Sequence, residues 1–434
     1  MKKQTYLRPL GFFLCSIASC LSFVPQISQR IQSNSLRMLQ QPSRADFEKS
    51  IVSSAIGLAT VPLNRVEAAG FSAKGMSNTG SGSRVNKDPT SLLRLGLPIN
   101  CKEAKYLAEV IDSIRYDTNR KDWSRALNSC KIAGGIVSKK RKELLNAVRV
   151  EERAKGEALL QELLDELIPL EKSLSSKEGT GTVQERIKLD ESYNAQNTLS
   201  NTVGSLLELM VPSDYIDKLE AAIPSEFDQL PRLLGRAKVE FTFEKPEKGQ
   251  KFDVEGTLYD QAKLVMVVDG YTTPITSGCF VDLVEKNFYQ NLIVTRSDGF
   301  VVQMGDPEPD GPKDGYKDRI VPLEIFVSGD SVPTYSITTE DDERGYASTV
   351  LPFQAYGALG MARSEFEADS ASSQFFFLLF ESDLTPAGKN LLDGRYTEFG
   401  YTIENAELLK DVKEGDVIVS AKVLEGKQYL KKSK

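Results

Sequence analysis

The stretch TRSDGFVVQMGDPEPDG, residues 295–311, decides how the rest of the chain is read. Its apolar middle, GFVVQM, ends in a Gly-Asp turn, the pattern of a short strand and its exit. Two polar residues break the pattern of a plain core strand: Arg296 stands just ahead of it and Gln303 projects from within it. The stretch is therefore either the floor of a groove or a buried strand with a polar edge.

Around it lies a strand-rich half. In AKVEFTFE (237–244), Val239, Phe241 and Phe243 alternate with Lys238, Glu240 and Thr242, the period of two that a half-buried strand requires. Further strands are predicted at KLVMVVDG (263–270), VLPFQAYG (350–357), SQFFFLLF (373–380), YTEFGYT (396–402) and GDVIVSAKVL (415–424). Two helical patches interrupt them, PITSGCFVDLVEKNFY (274–289) and NAELLKDV (405–412). Many strands with two short helices imply a closed β-barrel capped at its ends. The segment SGDSVPTYSITTEDDERGYAS (328–348) reads as a solvated acidic loop.

Upstream the period changes. Between about residues 91 and 212 Leu, Ala, Glu and Lys dominate, and Leu160, Leu163, Leu167, Leu170 and Leu174 recur at spacings of three and four. Only about two heptads are present and Pro169 interrupts them, which favours an intramolecular bundle over a coiled-coil seam. Leu199, Val203, Leu206 and Met210 supply the complementary stripe. The fold class expected is α+β: a helical bundle over residues 90–235 and a barrel over 236–434.

The first 69 residues carry addresses. Lys2, Lys3 and Arg8 precede a short apolar run, as in a secretory signal, and a Ser-, Gln- and Arg-rich stretch without acids follows. A second apolar run at 50–63 ends in the small-residue pattern VEAAG. Signal, transit peptide and lumenal signal in tandem account for all three, with a Gly/Ser-rich linker over 70–89. A single signal followed by a linker is the alternative.

Composition excludes whole classes of chemistry. The chain has 434 residues and no histidine, so imidazole bases and imidazole metal sites are absent, and no metal or other cofactor is indicated. A net charge of -7 opposes a nucleic-acid partner. Residues 1–69 hold an excess of basic side chains, which leaves the remainder more acidic still and without a transmembrane segment. Cys101, Cys130 and Cys279 remain after that region; a Cys101–Cys130 bridge is one option, but an odd count with no CxxC spacing favours three buried or half-buried thiols.

The segments PITSGCFVDLV (274–284), DGFVVQMGD (298–306), GMARS with SSQFFFLL (360–364, 372–379) and LLDGRYTEFGYT (391–402) occur in the order found in the cyclophilin family of peptidyl-prolyl isomerases, which this chain resembles. The resemblance covers about residues 236–426. It is closest to the multidomain cyclophilins of the plant and algal thylakoid lumen, which share a helical N-terminal half and a start similar to KDPTSLLRLGLPI (87–99).

That resemblance implies isomerisation of X-Pro bonds. Twisting the amide costs about 18–20 kcal/mol because resonance is lost. A guanidinium that donates to the prolyl nitrogen stabilises the twisted state more than either planar isomer. The family pattern implies Arg296 as that donor, with a surface ion pair to Asp298 or Asp306 as the competing reading, and Phe300, Val301, Gln303, Ala362, Arg363, Phe376, Leu392 and Tyr396 as the groove. It also implies lumenal or photosystem II polypeptides as clients and contact between the two halves.

The departures point to weak turnover with retained binding. Arg296 lies three residues before Gly299 where the family has four, Tyr396 stands for the pocket histidine, Leu391 for the tryptophan and Met304 for a glycine. A catalytically silent chaperone gated by the helical half is the alternative.

Overall fold

The structure, a computed structural model, describes residues 86–177, 181–307, 319–345, 347–380 and 390–432. The targeting segments expected over 1–69, and most of the 70–89 linker, lie outside the described residues.

The first helix among the described residues, α1 (Pro89–Leu95), starts where Asp88 Oδ1 accepts the amide of Thr90 at 3.0 Å and a proline supplies the fixed first φ. Then come α2 (Lys102–Asn119), α3 (Trp123–Lys139), the short α4 (Arg141–Ala147), α5 (Arg153–Ser175), α6 (Val183–Glu208) and α7 (Ser213–Ala221). α2 packs on α3 and α6, and α5 packs on the same two, so four helices close a ring around one core. The predicted stripe lines that core: Leu160, Leu163, Leu167, Leu170 and Leu174 are all buried, as are Leu199, Val203, Leu206 and Met210 opposite them. α5 runs through Pro169 without ending. Cys130 is buried in the same core, and Cys101, Cys130 and Cys279 are all free thiols, so no Cys101–Cys130 bridge forms.

The second half is a curled antiparallel sheet, a half-barrel. Its strands begin with β1 (Arg232–Leu233), β2 (Arg236–Glu244), β3 (Phe252–Val254), β4 (Thr257–Tyr259) and β5 (Ala262–Asp269). After the helix α8 (Pro274–Glu285) come β6 (Val294–Ser297), β7 (Val301–Met304), β8 (Glu324–Ile325) and β9 (Thr334–Tyr335). β10 (Ala358–Met361), β11 (Phe375–Leu378), β12 (Glu398–Glu404), β13 (Val417–Glu425) and β14 (Leu430–Lys431) complete the order. Eight of them form one sheet in the order β13-β2-β5-β12-β10-β11-β7-β6. Phe241, Phe280, Tyr289, Phe375 and Phe399 meet inside it, with ring centroids 5.0–5.9 Å apart.

Three expectations change. VLPFQAYG is a turn region and not a strand, because Pro352 has no amide and the Phe353 amide donates to the Asp393 carboxylate at 2.7 Å instead of to a ladder. Of the two capping helices, the second is a 3₁₀ segment, Ala406–Asp411, entered through Asn405 in the left-handed region. The insertion at 328–348 is not simply solvated: β9 pairs with β8, Thr339 is buried, its amide bonds to Gly394 O at 2.9 Å, and Arg344 pairs with Asp330 and Asp342.

The two halves share a polar clasp. Arg236, on β2, is fully surrounded: Nε and Nη2 donate to Asp269 Oδ2 at 3.0 and 2.6 Å, Nη1 to Glu208 Oε1 at 3.4 Å, and Nη2 to Leu93 O at 2.6 Å. The clasp joins β2 and β5 to the end of α6 and to α1. Nearby, Tyr215 Oη donates to Tyr271 O at 2.7 Å.

Candidate functional site

The β6–β7 hairpin sets the site. Gly299 turns the corner at φ +81°, a conformation that favours glycine. Asp298 Oδ1 accepts the amides of Phe300 and Val301 at 2.9 and 3.0 Å, which fixes the turn from its own side chain. A register irregularity between Val294 and Arg296 then sets Arg296 directly opposite Gln303.

Directly paired residues share a face of an antiparallel sheet. Gln303 is in turn opposite Phe376, and Phe376 opposite Gly360. Arg296, Gln303 and Phe376 therefore form one row across three strands. The alternate residues Val302, Met304, Phe375 and Phe377 point to the other face and fill the sheet core. Gln303 Nε2 donates to Gln374 Oε1 at 2.9 Å. Gln374, between two motif residues of SSQFFFLL, was not singled out from sequence.

The row borders an apolar cluster. Val301 and Phe376 are buried in it, and Ala362, Leu392 and Tyr396 pack against it. The Phe376 ring stacks on Phe353 at 5.9 Å and 16° and meets the Tyr396 ring edge-on at 5.9 Å and 84°. Phe300 is 37% exposed at the rim, its ring 5.4 Å from Phe380. Phe353 and Gly360 are two residues that sequence reasoning missed. The ring of Phe376 lies so close over Gly360 that a Cβ there would come within 2.1 Å of it, so only glycine seats that ring.

Arg296 forms the surface ion pair with Asp298 that competes with a catalytic reading, and Arg363 is held in a way the sequence did not reveal. Arg296 has a side chain 55% exposed, and its Nε and Nη2 both donate to Asp298 Oδ2, at 2.7 and 2.5 Å. Burial raises the Asp298 carboxyl, but the hydrogen bonds from Val301, Phe300 and Arg296 together outweigh it and hold the group below the usual range. Arg363 does more than edge the groove: its Nε donates to Arg395 O at 2.8 Å, its Nη1 to Ser364 O at 2.7 Å, and its guanidinium lies 5.1 Å from the Tyr396 ring centre.

The turn carrying Leu392 and Tyr396 is braced from beneath. Asn390 Nδ2 donates to Phe353 O at 3.0 Å and Asp393 Oδ1 receives the Phe353 amide, while Arg395 pairs with Glu340 of the insertion at 2.7 Å. Behind Tyr396 lies a cavity of about 10 Å³ whose walls include Glu324, Phe353, Asp393 and Glu398. Burial pushes Glu324 up to about 7 against the hydrogen bonds it accepts from Thr276 and Ile275 at the start of α8. Burial, and then Asp269, raise Glu398 well above its ordinary value. Among the described residues no group of three His, Cys, Asp or Glu is placed to hold a metal ion, and no helix is long and apolar enough to cross a membrane.

Comparison with known proteins places this geometry. Residues 252–428 match the family described as cyclophilin type peptidyl-prolyl cis-trans isomerase, and residues 88–211 match the PsbQ-like domain of CYP38-like isomerases. A Synechocystis protein named as a thylakoid lumen peptidyl-prolyl cis-trans isomerase is 36% identical over 86% of this chain and 89% of its own length. The Arabidopsis thaliana chloroplastic isomerase CYP38 is 37% identical over 79% of this chain and 75% of its own, and CYP37 of the same plant is 28% identical over 80% and 72%. This chain belongs to the cyclophilin-type peptidyl-prolyl cis-trans isomerase family, in the branch that joins a PsbQ-like helical domain to the cyclophilin sheet.

Proposed function

We propose that this protein is a folding factor that isomerises X-Pro bonds in the groove beside β7 and β11. The observation that carries the proposal is the row Arg296–Gln303–Phe376 set against the cluster of Val301, Ala362, Leu392 and Tyr396. The apolar cluster takes the proline ring, and Phe300 covers its rim. Arg296 donates to the prolyl nitrogen as the amide twists, when that nitrogen becomes pyramidal and basic. No covalent step and no cofactor enter. An exposed ion pair such as Arg296–Asp298 is worth roughly 0.2–1 kcal/mol, so a substrate shares the guanidinium with Asp298 at small cost.

Turnover on short peptides is weak, because Tyr396 and Leu391 replace larger or more polar groups of the family pattern. The closed form of the barrel belongs to the same reading; Ile293 bridging to Val417, and the Val294 amide donating to Asp416 O at 2.8 Å, support it. The names of the relatives support a plastid, thylakoid-lumen location; lumenal polypeptides, photosystem II subunits among them, are the clients this reading proposes. A protease-free isomerisation assay on an X-Pro peptide tests the activity: wild type accelerates exchange and Arg296→Ala returns it to background. Equal rates for the two proteins would remove Arg296 from the mechanism.

One observation favours a second reading, a proline-binding chaperone gated by the helical half. Leu92 and Leu93 of α1 are buried in the same cluster as Val301 and Phe376. If α1 restricts the groove, Leu92→Ser with Leu93→Ser raises affinity for an X-Pro peptide; unchanged affinity opposes gating.

A further inference from the structure

We propose that Asp298 is a positioning residue for the isomerase reaction: its carboxylate holds the Arg296 guanidinium against the backbone that presents Phe300 and Val301. This rests on Arg296 being the donor to the prolyl nitrogen. Both carboxylate oxygens are committed. Oδ1 accepts the amides of Phe300 and Val301 at 2.9 and 3.0 Å, and Oδ2 accepts Nε and Nη2 of Arg296 at 2.7 and 2.5 Å. One side chain thus ties the donor to the pocket rim.

The arrangement answers a physical problem. Arg296 is a long side chain, 55% exposed, on an edge strand whose other face meets the core, and solvent surrounds more than half of it. Left free, it would lose substantial rotamer entropy each time it met a substrate. Held through Nε and Nη2, it keeps its remaining N–H groups, Nη1 above all, to donate. Orientation set in advance acts on rate more than on binding, because the prolyl nitrogen becomes a good acceptor only in the twisted state.

Asp298→Asn separates these roles, since asparagine keeps a carbonyl oxygen for the two turn amides and removes the charge that holds the guanidinium. The full-length variant and wild type are compared on an X-Pro peptide by line-shape NMR, with the Arg296 Nε–H resonance followed alongside and assigned by its loss in Arg296→Lys. The expected result is a kcat lower by about tenfold, a KM within about twofold, and an Nε–H signal that exchanges faster with water. An unchanged or higher kcat in Asp298→Asn overturns the proposal, and so does a fall in kcat with an unaltered Nε–H signal. Arg296→Lys with wild-type kinetics, or a wild type at background, sinks the underlying assignment of Arg296 whatever Asp298 does.

Discussion

Two arginine–aspartate pairs in this chain have almost the same length and opposite surroundings. Arg236–Asp269 closes at 2.6 Å with both side chains at 5% exposure or less; Arg296–Asp298 closes at 2.5 Å with 55% and 39% exposed. Geometry alone does not rank them. Around the first, water is excluded and every removed partner leaves a bare charge in the interior. Around the second, solvent screens the attraction and replaces a lost partner. The buried pair therefore serves architecture, joining the helical and sheet halves, and the exposed pair is free to serve a reaction.

That contrast can be broken most severely at the clasp. Arg236→Ala strands Asp269 and Glu208 and is expected to cost about 3–5 kcal/mol in urea unfolding. Asp298→Asn, which breaks the ion pair but keeps an oxygen for the two turn amides, should cost less than about 1 kcal/mol in the same experiment; equal losses would abolish the distinction. Within the bundle, Leu170→Ala empties a fully buried position and should cost about 2–5 kcal/mol, with the sheet left intact by near-ultraviolet dichroism. Gly360→Ala sharpens the view from the groove side. Its new methyl meets the Phe376 ring, so X-Pro peptide affinity should fall while stability drops by only about 1–3 kcal/mol; undiminished affinity would remove Phe376 from the binding surface.

How much of this was legible in the sequence follows from the range of the interactions. The heptad-like leucines and the alternating Val239, Phe241 and Phe243 report burial through local period, and the structure buries them all. The structure also brings Val301, Phe376, Ala362, Leu392 and Tyr396 together in one apolar cluster. Long-range partners were not legible. Nothing in the spacing of Arg236, Glu208 and Leu93 announces a clasp across 143 positions. The strand expected at 350–357 failed for the same reason: its amide and carbonyl at Phe353 go to Asp393 and Asn390, partners 40 and 37 positions away. The short β6 was overlooked because its polar face carries the exposed Arg296.

The smallest predicted effect is on pH dependence. Burial raises Glu324 to about 7 and raises Glu398 in the same direction, so the folded chain holds these protons more tightly than the unfolded one. Their contribution to stability is fully present below the ordinary carboxylate range; that of Glu324 is lost as pH climbs through about 7, and that of Glu398 is lost in the same direction as pH rises. Thermal scans should show a midpoint higher by at least about 2 °C at pH 5 than at pH 8. A midpoint that falls on acidification would mean both groups are ionised in the folded state, held so by the α8 amides and the Gly400 amide.

The central claim, that an exposed arginine offset by one residue still serves an X-Pro groove, is tested most directly by exchange NMR on a proline peptide. With catalytic amounts of the full-length protein, wild type should produce cis–trans exchange cross-peaks absent without protein, and Arg296→Ala should lose them while still binding the peptide. Cross-peaks of equal intensity from both proteins, or none from either, would contradict the account.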